Sequence, residues 1–342
     1  MRRRAFLLGA AALAATRGAG AAAVSYPVVR PGVRLEFPRD HGAHPEFRQE
    51  WWYVTGWLSG RRGEPLGFQI TFFRARPDIA TQNPSALTPR QVILAHAAIS
   101  DPRHGALRHD ERAARAALGL AGAEEGATRV WVDDWRFELE RDTYRSRIAA
   151  RGFALDLEFQ ARQPPLAQGE QGFSRKGEGP EEASYYYSRP HLEVRGSVER
   201  GGAREPVTGS AWLDHEWSSR YMAAEASGWD WAGLNLAGGE SMMAFRMRDK
   251  SGRTLYAPPG VTFEPLRMWR SPRTGVEYPV AMRVTSAGKS YLLEPLMDDQ
   301  ELDARTSTGT IYWEGAVRAL RDGREAGRGY LELTGYWKPM RF

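Results

Sequence analysis

The chain has 342 residues, 42% apolar and 26% charged, which describes a globular protein with room for two cores and not a disordered one. No apolar run reaches the ~18 residues that span a bilayer, which excludes a multi-pass helical membrane protein. The absence of cysteine excludes disulfide frameworks, thiol nucleophiles, thiolate zinc sites and iron–sulfur clusters.

The formal charge of +5 points at first to an anionic partner, but most of it sits in the first 23 residues. Met1-Arg2-Arg3-Arg4 opens a short apolar stretch, followed by a small-residue segment ending Ala21-Ala22-Ala23. A basic start, an apolar centre and an Ala-x-Ala site make a cleavable secretory signal. Arg3-Arg4-Ala5-Phe6-Leu7 resembles the twin-arginine type, so a periplasmic or secreted location is expected, with cleavage near Ala21 or Ala23. The leader takes four of the 47 basic residues and none of the 42 acidic ones, leaving a net charge near +1. A nucleic-acid partner therefore loses its electrostatic support, and the mature chain carries no transmembrane segment. Association with a transporter or a membrane surface stays open.

From there the chain reads as all-β. Residues 50–58 (EWWYVTGWL) and 67–74 (GFQITFFR) flank a Gly60-Arg61-Arg62-Gly63 turn and read as a hairpin. Further strands are expected at 92–100, 130–139, 148–150, 153–159, 192–199 and 207–213. The second half continues with 229–236, 241–248, 279–285, 290–296, 310–320 and 329–336. Only 111–120 has helical composition. Strands at regular spacing with glycine turns mean sandwiches or barrels. Residues 163–182, rich in Gly, Pro, Gln and Glu, read as a long loop or lid. A faint repeat links Trp52-x-x-x-Gly56 to Trp229-x-x-x-Gly233, each opening a hairpin that ends in arginine. It implies two related β-domains, 24–220 and 221–342.

Three clusters carry chemistry. The first, Asp40-His41-Gly42-Ala43-His44-Pro45-Glu46-Phe47, runs into Glu50-Trp51-Trp52-Tyr53 and reads as a loop pinned by hydrogen bonds, with no metal expected. The second, Ser184-Tyr185-Tyr186-Tyr187-Ser188, places Tyr185 and Tyr187 on one strand face and Tyr186 on the other. It reads either as packing or as a ligand wall. The third is the densest: Trp212-Leu213-Asp214-His215-Glu216-Trp217, then Gly228-Trp229-Asp230-Trp231. No Gly-x-Ser-x-Gly elbow is present, so a serine hydrolase has no visible nucleophile. An acid pressed against tryptophan faces has its pKa raised by desolvation and can stay protonated near neutral pH. Ring faces can then stabilise a carbocation. The plainer alternative is that Asp and His brace a barrel closure and the tryptophans are core.

These motifs, with the closing Gly329-Tyr330-Leu331-Glu332-Leu333-Thr334-Gly335-Tyr336, resemble the family of bacterial carotenoid 1,2-hydratase and the AttH-like secreted proteins over nearly all of the mature chain. The resemblance implies two lipocalin-like antiparallel β-barrels in tandem. It also implies a cofactor-free, hydro-lyase-like addition of water to an isolated double bond of an apolar, isoprenoid or lipid-like ligand. Carried onto this chain, His215 and Trp217 match the family's His-x-Trp pair. Asp230 is then the acid, Trp217, Trp229 and Trp231 shield the cation, and His215 positions the water. Asp214 either orients His215 or serves as the acid. Trp212, Trp52, Tyr185 and Tyr187 are expected to line the ligand, and His44, Glu50 and Glu216 to support the motifs. Two other functions remain open at this point: a non-catalytic periplasmic carrier linked to an exporter, and a secreted hydrolase.

Overall fold

The computed structural model describes residues 24–79, 85 and 88–340. The leader, with its expected cleavage site, lies outside the described residues. Among the described residues no helix is long and apolar enough to cross a membrane.

The aromatic run at 50–58 forms β1 (Gln49–Ser59), and β2 (Pro65–Ala75) returns beside it with Trp52 opposite Phe72 and Val54 opposite Ile70. β3 (Val92–Ser100) and β4 (Arg108–Arg115) extend the meander. The expected helix at 111–120 is thus a strand followed by a turn. Its backbone is taken up by pairing, with Ala95 opposite Arg112 and His96 opposite Glu111, and tertiary pairing overrides the helical preference of its alanines. The expected single strand at 130–139 is a hairpin. Short β5 (Ala121–Ala123) pairs β6 (Arg129–Val132), and β6 turns at Asp133 (φ 53°) into β7 (Trp135–Glu140).

β8 (Thr143–Ala150) and β9 (Phe153–Gln160) form the next hairpin. The long loop at 163–182 is not slack. It carries β10 (Leu166–Ala167) and β11 (Phe173–Arg175), both laid against β12 (Ala183–Arg200). β13 (Ala203–Arg220) pairs back onto β1. The sheet runs β4-β3-β2-β1-β13-β12-β9-β8-β7-β6-β5. Its free edges, β4 and β5, come together without pairing, which makes a nearly closed barrel.

The second sheet repeats the plan in a half-barrel. β14 (Gly228–Leu236) and β15 (Ser241–Arg248) form its opening hairpin. They are followed by β16 (Thr254–Tyr256), β17 (Thr262–Arg270), β18 (Glu277–Ser286), β19 (Lys289–Pro295), β20 (Glu301–Ala304), β21 (Thr310–Arg321) and β22 (Arg324–Leu333). The order is β16-β15-β14-β22-β21-β19-β18-β17. In both sheets the first strand lies between its hairpin partner and the last strand, so the Trp-x-x-x-Gly hairpins at Trp52 and Trp229 hold equivalent places. The fold is two lipocalin-like barrels in tandem.

Both interiors are filled with side chains. Trp52, Phe68, Phe72, Trp135, Phe137, Tyr144 and Phe159 pack the first; Met242, Tyr278, Met282, Trp313 and Leu331 pack the second. The open space lies between the barrels, where Tyr53, Trp57, Trp212, Trp231, Phe245 and Tyr330 form a third apolar cluster. Gly233 belongs to this seam. A Cβ there would stand 2.4 Å from the Trp231 ring and 3.2 Å from Trp212, so only glycine lets the two indoles approach.

Candidate functional site

Strand alternation sorts the dense motifs onto opposite faces. Along β13, Trp212, Asp214 and Glu216 face the second barrel, while Leu213, His215 and Trp217 face inward. Along β14, Trp229 and Trp231 face the seam, and Asp230 points into the second barrel. The seam cavity is walled by Trp51, Tyr53, Thr71, Phe73, Tyr221, Trp229, Trp231 and Tyr312, together with Asp214, Glu216, Glu314 and Glu332. About 50 Å³ of it is open to a water centre, enough for a few waters at most.

Four acids therefore meet in a narrow aromatic space, Asp214, Glu216 and Glu314 buried and Glu332 partly exposed. Asp214 accepts hydrogen bonds from Tyr186 Oη at 2.7 Å, Ser188 Oγ at 2.5 Å and Trp212 Nε1 at 2.7 Å. Burial outweighs these bonds, and with the nearby Glu216 charge it raises the Asp214 carboxyl to about 7. Glu332 accepts Trp229 Nε1 at 2.8 Å. Burial, reinforced by Asp214, Glu216 and Asp230, raises it also to about 7. Burial and Glu332 hold Glu314 well above the carboxylate range. The Tyr53 and Tyr312 hydroxyls approach Glu314, and their hydrogen bonding only partly offsets its burial.

Glu216 differs. Burial raises it, but Lys176 Nζ stands 2.6 Å away and the Ser184 hydroxyl is also bonded to it. Lys176 comes from the long loop and is buried over the rings of Phe245, Tyr186 and Tyr221 at 4.2, 4.8 and 5.1 Å. The loop thus delivers a cation to the seam.

Asp230 is not the acid of this site. Arg246 Nε holds its Oδ2 at 2.7 Å, Arg248 Nε its Oδ1 at 3.0 Å, and Tyr336 Oη donates a third bond at 3.0 Å. A carboxylate clasped by two guanidiniums is an ion-pair anchor, and Asp230 lies outside the lining of the seam cavity.

His215 likewise lies outside the cavity. Its ring stacks on Trp52 at 4.6 Å, and its Nε2 is 2.8 Å from Glu50 Oε1. Trp217 stacks on His44 at 3.7 Å and 7°. Tyr185 and Tyr187 pack with Phe47 and Trp217 on the inward face, and only Tyr186 reaches the seam.

Glu50 binds His44 Nδ1 and His215 Nε2 through one oxygen. Through the other it binds Arg74 Nε and the His44 amide. Burial would raise Glu50, but Arg74 and His44 hold it well below its ordinary range. Burial would lower His44, but Glu50 and Asp40 raise it to about 9. His44, Glu50 and His215 bring three donor atoms within 4.8 Å of one another. Both Glu50 oxygens and the bonded ring nitrogens are already committed, which is the chemistry of a brace.

Of the candidate residues, the structure brings Asp214, Trp229, Trp231 and Glu216 to the cavity wall. Glu314, Glu332, Tyr53 and Tyr312 join them there, and Lys176 reaches Glu216, without having been candidates. The signal for the two glutamates was present as a lone acid inside an apolar strand, Tyr312-Trp313-Glu314-Gly315-Ala316 and Tyr330-Leu331-Glu332-Leu333.

A tandem of lipocalin-like barrels clasping buried acids between them defines the structural class. The chain belongs to the AttH-like family, whose model matches residues 28–336. A solved structure assigned to AttH from Nitrosomonas europaea is 51% identical, covers 91% of this chain and all of its own, and superposes with a TM-score of 0.84. Kievitone hydratase from Nectria haematococca is 15% identical over 92% of this chain and 97% of its own, with a TM-score of 0.63, a likeness of fold. Among curated proteins no sequence matches significantly.

Proposed function

We propose that this protein adds water to a carbon–carbon double bond of an apolar, isoprenoid or lipid-like ligand, using a neutral carboxylic acid in the seam between its barrels. The observation that carries the reading is Glu332, raised to about 7, bonded to an indole N–H and walled by aromatic rings. Trp229 engages Glu332 Oε2, which leaves Oε1 to carry the proton. Glu332 protonates an alkene carbon that reaches it from the adjoining space walled by Trp51 and Trp229, and those two rings shield the cation on its neighbour. A water held by Tyr53 and Glu314 on the same wall captures it. The captured water loses a proton, which restores Glu332, so the cycle balances without a cofactor. Asp214 and Glu216 act as positioning residues, since their charges raise Glu332. The name of the kievitone hydratase fold relative agrees with this chemistry.

A carrier reading shares the same cavity. It gives no reason to gather four acids there, three of them buried at a cost that only neutralisation or pairing reduces. Export through the leader is part of the proposal, and fractionation of cells making the full chain tests it. The catalytic reading is tested with squalene and lycopene in ¹⁸O-labelled water. The expected result is ¹⁸O-labelled alcohol with the native protein and none with Glu332→Gln. Tight binding without label incorporation overturns it.

A further inference from the structure

Beside the acid cavity lies a second, larger space of about 420 Å³, within the range that holds small-molecule ligands. The two share Trp51, Phe73, Trp229, Tyr312 and Glu332, so these side chains are a common wall. Leu94, Pro77, Pro339 and Met340 make much of the rest of its lining apolar. Its cations divide into two kinds. Arg74 is buried and paired with Glu50 at 2.7 Å. Arg48, Arg76 and Lys338 stand in more open positions. Arg48 pairs with Asp78 at 3.0 Å, and that carboxylate also accepts Tyr26 Oη at 2.8 Å. Among the described residues, Arg76 and Lys338 have no carboxylate partner. Arg76 donates to the Glu46 carbonyl and lies over the Tyr26 ring, and Lys338 lies over the Trp337 ring.

We infer that the ligand is a single-chain lipid with an anionic head, its head held by Arg76 and Lys338 and its apolar chain running over Trp51, Phe73 and Trp229 toward Glu332. This deepens the hydration reading and rests on it for what happens at Glu332. The binding claim stands on the charge and lining of the outer cavity alone. An uncharged chain would leave the rim cations with nothing to pair. A second charge or a bulky polar group along the chain could not follow the apolar path. Carboxylate and phosphate heads share this chemistry, and the seat is built from side-chain charges that accept either.

The test is calorimetric titration of the native protein with oleic acid, oleyl phosphate and oleyl alcohol, three heads on one chain, each below its micelle concentration. The acid or the phosphate is expected to bind at least about tenfold tighter than the alcohol, with the advantage shrinking as salt rises; the tighter anion identifies the head. In Arg76→Gln/Lys338→Gln the anions should fall to the level of the alcohol while alcohol binding is unchanged, which also reports an intact cavity. Equal binding of all three, or an anion preference that survives the double substitution, overturns the inference, as does failure of all three to bind. Anion binding without hydration of any chain sinks the catalytic reading and leaves this one standing.

Discussion

Trp231 of β14 donates its indole N–H to the hydroxyl of Tyr186 on β12 at 3.2 Å. That bond joins the second barrel to the first, and Tyr186 passes it on by donating to Asp214 at 2.7 Å. The acid site is therefore an inter-barrel structure, and its chemistry depends on how the barrels sit together. Trp231→Phe should keep the ring and lose the bond. A stability loss of about 1 kcal/mol is expected in chemical denaturation, with a shift in the pH dependence of turnover larger than the loss of binding.

Asp214→Asn removes a like charge beside Glu332. Because Asp214 helps to raise Glu332, the Glu332 pKa should fall, and the alkaline limb of the pH–rate profile should move to lower pH. Glu332→Gln should instead cost about 10² to 10⁴ in rate at every pH, the usual worth of a general acid. Steady-state profiles of the two variants separate the roles.

Stability should decline as the solution becomes more alkaline. Asp214 is raised from 3.8 and Glu332 from 4.5, each to about 7. Their neutral forms favour the fold fully below pH ~4, and this is lost as pH rises through 7. His44, raised from 6.5 to about 9, adds a contribution complete below 6.5 and lost through 9. The Asp214 shift alone is worth on the order of 4 kcal/mol. Denaturant titrations at pH 5.5 and 8.5 should show the fold weaker at the higher pH, and Asp214→Asn should narrow the gap.

Asp230→Asn should behave as a core lesion. It strips the carboxylate from Arg246 and Arg248, whose side chains are only 12% and 3% exposed. Leaving buried guanidiniums unpaired costs roughly 3–5 kcal/mol. The protein that still folds should keep its turnover, with the alkaline limb of its pH–rate profile moved to lower pH, because Asp230 also helps to raise Glu332. Loss of turnover in a fully folded Asp230→Asn protein would return the acid role to Asp230.

Much of the fold was legible because the strands carry period-2 or aromatic runs bounded by glycine turns, as at Trp52 and Trp229. The β4 strand was not, because an edge strand bearing Glu111, Arg112 and two alanines has little pattern of its own and takes its form from β3. The site was half legible. Asp214, Trp229 and Trp231 stand in dense motifs. Glu314 and Glu332 lie about a hundred residues further on and meet them only because the two barrels dock. Asp230 misled for a reason that alternation explains. It sits between two seam tryptophans in sequence and therefore faces away from them in a strand. His215, between Asp214 and Glu216, is turned inward by the same rule.

The central claim is that a carboxylic acid in the seam stays protonated near neutral pH. Infrared difference spectra between the native protein and Glu332→Gln, and between the native protein and Asp214→Asn, read this directly through the carbonyl stretch of a protonated carboxyl. The account predicts that stretch at pH 6 for both residues, fading as pH rises through about 7. Carboxylate bands alone for Glu332 and Asp214 at pH 5 would contradict it.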